Sequence, residues 1–266
     1  MISNLILAIP PISVKSEVLF NFMGVDITNA MFGMLAVDIL LILFAIAVNR
    51  KASIIPSKLQ VVFELPFVWL KENIMSAFGS KKDAEKLTPI FLSLFLVFLF
   101  ANQLSIIPLI MDITANFDGT TASLFKVPTS DFNLPIAMAL IVVVLVNMIA
   151  LVTSPLKHIG SFIKIMPILK SRSIGEFANS LLEFFLGLLD IITEVAKVIS
   201  LSARLFGNVF AGELMIVIIT YIASFTNFIV PIPFIVLSVF SGLVQAMVFP
   251  LLSIQYMAGT LSNVEE

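Results

Sequence analysis

The sequence predicts an all-α integral membrane protein with about five membrane helices, arranged as a single membrane domain over residues 1–266. Three observations lead there. Charged residues make up only 12% of the chain while 59% is hydrophobic; a soluble domain carries about 25% charged residues, and without them no water-exposed surface can be clothed. Mean hydropathy is +1.11. Apolar stretches of membrane-spanning length recur along the chain, separated by segments in which the charges collect.

Taken in order, residues 1–29 form an N-terminal segment whose apolar stretch Leu5–Ile12 has no basic residue before it and is broken by Pro10-Pro11, which argues against a signal peptide. The first span falls in Ala30–Val48. Residues 49–87 follow as an interfacial segment in which Leu59, Val62, Phe63, Phe67 and Leu70 recur at helical spacing with Trp69 and lysines nearby, the pattern of an amphipathic helix lying on a membrane surface. Two further spans are placed at Thr88–Met111 and Leu134–Thr153. The next apolar run, Ile174–Phe225, holds 52 residues where one span needs about 20, so it either turns back midway or lies strongly tilted. The last run is Ile229–Leu261.

Basic residues orient these spans. Arg50, Lys51, Lys58, Lys71, Lys81, Lys82 and Lys86 lie between the first two, and Lys157, Lys164, Lys170 and Arg172 follow the third. On the other side stand only Lys15 and Lys126. Lysine and arginine concentrate in cytoplasmic segments, so the N-terminus is expected outside and the C-terminus inside.

The remaining two basic residues, Lys197 and Arg204, sit within the fourth apolar run beside Glu176, Glu183, Asp190, Glu194 and Glu213. A charge at mid-membrane costs about 2.5–3.5 kcal/mol on insertion scales, so such residues are functional candidates by default. Glu176, Glu183, Asp190, Lys197 and Arg204 are spaced by seven, which keeps each about 20° from the next on one helix face. Glu194 and Asn208 join that stripe, whereas Glu213, nine residues beyond Arg204, lies about 180° around. Glu194 is about 15 Å along the helix from Arg204, so the guanidinium has no acid within reach on its own helix and takes its counter-charge from elsewhere. A structural reading makes the acids and bases interhelical glue. In the last run Ser238, Ser241, Gln245 and Tyr256 fall near one face with Gly242 and Gly259. An amide in lipid wants a partner, and Arg204 or Asn208 on the neighbouring helix could supply one for Gln245. Asp38, in the first span, is assigned no role. Cysteine chemistry is excluded by the absence of cysteine, and the single histidine, His158, cannot build a zinc site. A net charge of −2 argues against a nucleic-acid partner, which needs a basic field.

The string from Ile199 through Arg204, Leu205, Phe206, Gly207 and Asn208 to Glu213-Leu214 resembles the signature of the subunit a family of rotary ATP synthases. Pro56-Ser57-Lys58-Leu59-Gln60, Ala101-Asn102-Gln103-Leu104, Pro128-Thr129-Ser130-Asp131-Phe132-Asn133 and the stretch from Gln245 to Tyr256 resemble other parts of the same family, over roughly residues 20–262. The resemblance implies that Arg204 matches the family's essential arginine, that Glu213 and Gln245 match polar positions lining its ion path, and that Asp190, Lys197 and Asn208 occupy family polar positions. Some bacterial members carry a histidine seven residues before this glutamine. Here the position is Ser238, which cannot shuttle protons at neutral pH, so that limb relies on Glu213 and water.

By the same resemblance, residues 174–262 form a long, steeply tilted helical hairpin facing a rotating ring of subunit c, with peripheral-stalk subunit b and the rest of the ATP synthase as further partners. Two half-channels would deliver ions, H⁺ foremost, to and from the ring carboxylates, in the inner membrane of a bacterium. No cofactor is implied. No phosphate-binding Gly-rich Lys-Ser/Thr loop occurs, so nucleotide chemistry belongs to partner subunits and the chain itself is not an enzyme. The alternatives are a secondary ion-coupled transporter, which inverted repeats or paired broken helices would favour, and a passive scaffold, which would tolerate loss of Arg204.

Overall fold

The computed structural model describes residues 16–51, 58–79, 81–104, 114–117, 120–153, 155, 174–222 and 229–265. Among these, six helices carry the fold: α1 Asn29–Lys51, α2 Lys58–Phe78, α3 Lys81–Gln103, α4 Asn133–Thr153, α5 Ile174–Ile222 and α6 Pro231–Glu265. Four of them, α1, α3, α4 and α6, contain apolar stretches long enough to cross a membrane. α5 interrupts its apolar sequence with charges, and its 49 residues run as one helix without turning back. At 1.5 Å per residue that is about 74 Å, more than twice a hydrocarbon core of about 30 Å.

Two antiparallel hairpins accompany the helices and were not expected: β1 (Val18–Phe22) with β2 (Val25–Thr28), and β3 (Thr114–Phe117) with β4 (Thr120–Ser123). Both are short, and both lie in connecting sequence where the helical period has nothing to say. Asp118-Gly119 is a turn signal of the two-residue hairpin kind, whereas Met23-Gly24 carries only its glycine half.

The local sequence accounts for the helix boundaries. Pro231 opens α6 at the position where a missing N–H costs nothing. α4 begins just after Asp131, whose carboxylate accepts the Asn133 backbone N–H at 2.9 Å. α2 forms as the amphipathic pattern predicts, but its buried face is Leu70 and Ile74, with Trp69, Ala77 and Phe78 alongside; Phe67 is exposed, and Phe63, also exposed, rests edge-on against Phe44 of α1 at 4.9 Å between ring centroids. The core decides this, because the α2 residues in the main hydrophobic cluster with α3 and α6 are Leu70 and Ile74. Leu59 and Val62 have side chains outside the described set.

α3 is the central element, touching α1, α2 and α6. Phe91, Phe95 and Phe98 bury against Leu70 and Ile74 of α2 and against Ala246, Phe249, Ile254 and Met257 of α6, with Phe98 and Phe249 at 4.3 Å between ring centroids. Polar contacts set the register of α3 on α6: Asn102 Nδ2 donates to the Gly242 carbonyl and Gln103 Nε2 to the Val239 carbonyl, each at 3.1 Å. A Cβ at Gly242 would stand 3.1 Å from that of Asn102, so glycine permits this close approach. Gly259 has open space where its Cβ would be and serves no such purpose among the described residues. α5 lies against α4 on one side and α6 on the other. The Pro128–Ser130 3₁₀ turn is fully buried where α1, α3, α4 and α5 meet.

Candidate functional site

α5 divides its faces sharply in the segment around Arg204. Leu201, Leu205 and Val209, spaced by four, are buried against α4 and α6. The opposite stripe, Ser200, Ala203, Arg204, Gly207, Asn208 and Ala211, is exposed. Apart from the arginine and Asn208 its side chains are small, so it offers a shallow track on which another helix can approach closely. Arg204 stands on that track and forms no ion pair among the described residues. A guanidinium cannot shed its charge in a protein, so an outward-facing one in an apolar surface needs a counter-charge from beyond the described residues.

One helical turn beyond, Asn208 Nδ2 donates to Gln245 Oε1 at 2.8 Å, linking α5 to α6. Gln245 is otherwise buried. Of the two partners expected for this amide, the structure selects Asn208.

Toward the start of α5 a polar group is built from three helices. Lys197 Nζ lies 2.5 Å from Glu194 Oε1 and 5.4 Å from the centre of the Tyr256 ring on α6. Asn147 of α4 donates through Nδ2 to the other oxygen, Glu194 Oε2, at 3.1 Å. The acids and bases of the stripe are thus partly paired, but by an i, i+3 contact rather than along the spacing of seven. Asp190 is exposed and makes no hydrogen bond or ion pair among the described residues, as does Glu183; the side chain of Glu176 lies outside them.

Toward the other end, Glu213 faces away from the Arg204 track and into the buried turn, within hydrogen-bonding reach of the Ser130 hydroxyl and in the field of Lys126. Burial pushes the Lys126 ammonium below the ordinary lysine range, and the carboxylates of Asp131, Glu213 and Glu17 oppose that shift. The Thr129 hydroxyl in the same turn is buried with no partner among the described residues. Asp131 accepts a hydrogen bond from Ser16, and Lys126 N–H donates to the Asn29 carbonyl at 3.3 Å. Ser238 sits against the backbone of Gly212, its Oγ 2.8 Å from the place a Cβ would take.

The predicted residues therefore fall into three groups. Arg204, Asn208 and Gln245 are together, Glu213 and Ser238 flank them on one side, and Lys197 lies on the other; Asp190 joins none. Glu194 stood on the charged stripe already, without a partner assigned to it; residues that sequence reasoning did not single out for a role are Asn147, Thr129, Ser130 and Lys126. Asn147 carried a usable signal, an amide deep inside an apolar run. The others became visible only once α4, α5 and the turn were placed together.

Comparison with known proteins agrees over most of the length. The family model for the ATP synthase A chain matches residues 30–258. The chain is similar to ATP synthase subunit a of Desulforamulus reducens, 29% identical over 257 residues covering 93% of this chain and 85% of that one. It is 31% identical over 217 residues to the subunit a of Syntrophobacter fumaroxidans (79% and 74% covered), and 32% over 237 residues to that of Pseudoalteromonas translucida (85% and 80%).

Proposed function

The chain belongs to the ATP synthase A chain family, and on that footing we propose that Arg204 divides two separate ion paths in it. It is the proton-conducting stator subunit a of an F-type ATP synthase, a multi-pass membrane protein without nucleotide chemistry of its own.

The observation that carries the proposal is the position of Arg204: outward, unpaired among the described residues, and between two polar clusters that do not join. Lys197 lies about 10 Å from it along α5 and Glu213 about 14 Å in the other direction. The Glu194–Lys197–Asn147 cluster forms the path to one side of the membrane. Glu213 with Thr129, Ser130 and Lys126 forms the path to the other. The exposed track receives subunit c, whose ring carboxylates supply the missing counter-charge. Basic residues concentrated in residues 50–86 and 157–172 put the Lys197 path on the cytoplasmic side and the Glu213 path outside. Peripheral-stalk subunit b completes the stator.

The chemistry follows from charge. A guanidinium beside a carboxylic acid lowers its pKa by about 1–3 units, which promotes release of the proton as each ring site arrives. Because arginine cannot give up its own proton, it also blocks direct hopping between the paths, and the proton travels with the ring. Each charge moved across 100 mV supplies about 2.3 kcal/mol to rotation. Gln245 and Asn208 hold α5 and α6 in register at the crossing point, and Ser238 takes no part in proton exchange near neutral pH.

Variants Arg204→Ala, Arg204→Lys and Arg204→Met test this. All three should assemble at near wild-type content and lose coupled ATP synthesis, the alanine variant also leaking protons. Lysine fails despite its charge because a buried ammonium is shorter and can deprotonate. A stably assembled Arg204→Ala enzyme that synthesises ATP at the wild-type rate overturns the proposal. Loss of assembly rescued by methionine would instead make the arginine structural glue.

A further inference from the structure

We propose that the β1–β2 hairpin is a membrane anchor that inserts its apolar face into the interfacial layer of the bilayer beside α1. The hairpin is amphipathic in its own right. The pairs Phe22↔Val25 and Phe20↔Ile27 lie on one face, and Asn21↔Asp26 lies on the other. On the polar face Asn21 Nδ2 donates to Asp26 Oδ1 at 2.7 Å. On the apolar face Phe22 is 61% exposed and Val25 55%, and Met23 at the tip is 92% exposed. Water is a poor environment for three such neighbours.

The turn points the same way. Met23 and Gly24 both have positive φ, +52° and +86°, the geometry of a two-residue hairpin turn that asparagine and glycine ordinarily fill. A bulky unbranched side chain there is strained. Asparagine would relieve the backbone, but only an apolar residue puts an apolar tip on the hairpin.

Position identifies the occupant as lipid. α1 is 23 residues long, about 34 Å, just enough to cross a hydrocarbon core of about 30 Å, so its first residue lies at a membrane boundary. The hairpin is tied to that residue: Asn29 N–H donates to the Glu17 carbonyl at 3.1 Å, and Glu17 N–H to Asn29 Oδ1 at 3.2 Å. Phe20 meets Phe32, one turn into α1, edge to face at 6.4 Å. The outward stripe of α1, Met31, Leu35, Ile39, Ile42 and Ile46, is a lipid-facing surface that the hairpin face extends. α1 packs on α3 and the buried turn, not on the outward track of α5, so the hairpin stands apart from the surface assigned to subunit c. Residues 16–28 contain acids and no base, so insertion rests on apolar burial rather than attraction to anionic headgroups.

The chain has no cysteine, so single nitroxide labels report on this directly once accessible cysteines of the other subunits are replaced. Met23→Cys, Phe22→Cys and Val25→Cys, with Asp26→Cys as the polar-face reference, are labelled in the whole ATP synthase reconstituted in phosphatidylcholine vesicles. The ratio of collisions with oxygen to collisions with a water-soluble nickel chelate should be several-fold higher at positions 22, 23 and 25 than at 26, with ATP synthesis retained. Equal access of the nickel chelate to positions 23 and 26 would place the hairpin in water and overturn the anchor. Exclusion of both reagents from 22, 23 and 25 would show a protein subunit covering the face, and would overturn it equally. Three labelled positions guard against failure of any one variant to fold, and none touches the proposed ion paths.

Discussion

Gln245→Met keeps the length and volume of the side chain while removing the amide, and so separates two roles for the buried contact with Asn208. As a simple tie between α5 and α6 the hydrogen bond has a bounded value. Interhelical hydrogen bonds in membranes average about 0.6 kcal/mol and reach about 1.7, roughly a 3- to 18-fold change in a helix-association equilibrium. The low end applies here, because Asn208 is exposed and is not left as a buried orphan. α6 is also held to α3 by Asn102, Gln103 and the Phe98–Phe249 contact, which the substitution leaves untouched. The content of the chain in membranes should therefore stay near wild type. If the pair sets the geometry in which a ring carboxylate meets Arg204, coupled synthesis should fall by about tenfold or more, beyond the average value of such a tie. The assay is proton-driven ATP synthesis in membrane vesicles, normalised to subunit content by immunoblot. Adding Asn208→Leu to Gln245→Met should cost little more, since the two act as a unit. A drop in content that fully accounts for the drop in activity, with wild-type rate per assembled enzyme, would refute the reasoning.

Gly33→Ala places a Cβ 2.0 Å from the Lys126 carbonyl oxygen, 1.4 Å short of the 3.4 Å of ordinary contact; the Cβ is fixed to the α1 backbone and the atom it meets is backbone, so no side-chain rotation relieves the clash. α1 must move off the Pro128–Ser130 turn at about 1–3 kcal/mol, and thermal denaturation of the purified complex should show this chain lost at lower temperature. Glu213→Gln should leave assembly intact while slowing proton-driven synthesis; membranes with normal enzyme content and an unchanged rate would remove Glu213 from the path. Reporters fused at Lys82 and after Glu266 should be cytoplasmic and one near Asp118 external, and an external Glu266 reporter in a functional protein would reverse the assigned sides of the two paths.

Much of the helical framework was legible because lipid is a severe solvent. A backbone crossing it must satisfy its own hydrogen bonds, so a run such as Leu134–Thr153 had to be helix, and α4 occupies Asn133–Thr153. The stripe from Asp190 through Lys197 to Arg204 was legible for an equally local reason, since a fixed helical rotation turns spacing into direction. The same arithmetic placed Glu213 on the other face, and it does turn into the buried 3₁₀ turn while Arg204 points out. The hairpins escaped notice because strands of four and five residues carry too little periodicity to compete with the long apolar runs beside them.

The sequence by itself determined a helical membrane protein, the family to which it belongs and the residue on which its proposed mechanism turns. It left open whether residues 174–222 fold back, which partner meets Gln245, which face of α2 is buried and what surrounds Glu213. Only the tertiary structure decided these: one unbroken α5, Asn208 on Gln245, Leu70 and Ile74 against α3, and Ser130 with Lys126 beside Glu213. The physical reason is that solvent preference and helical rotation are properties of each segment alone, whereas a partner across a helix interface depends on how ridges of several helices fit together. Asn147 and Glu194 are 47 residues apart in the chain, and no periodicity within either helix specifies that they meet.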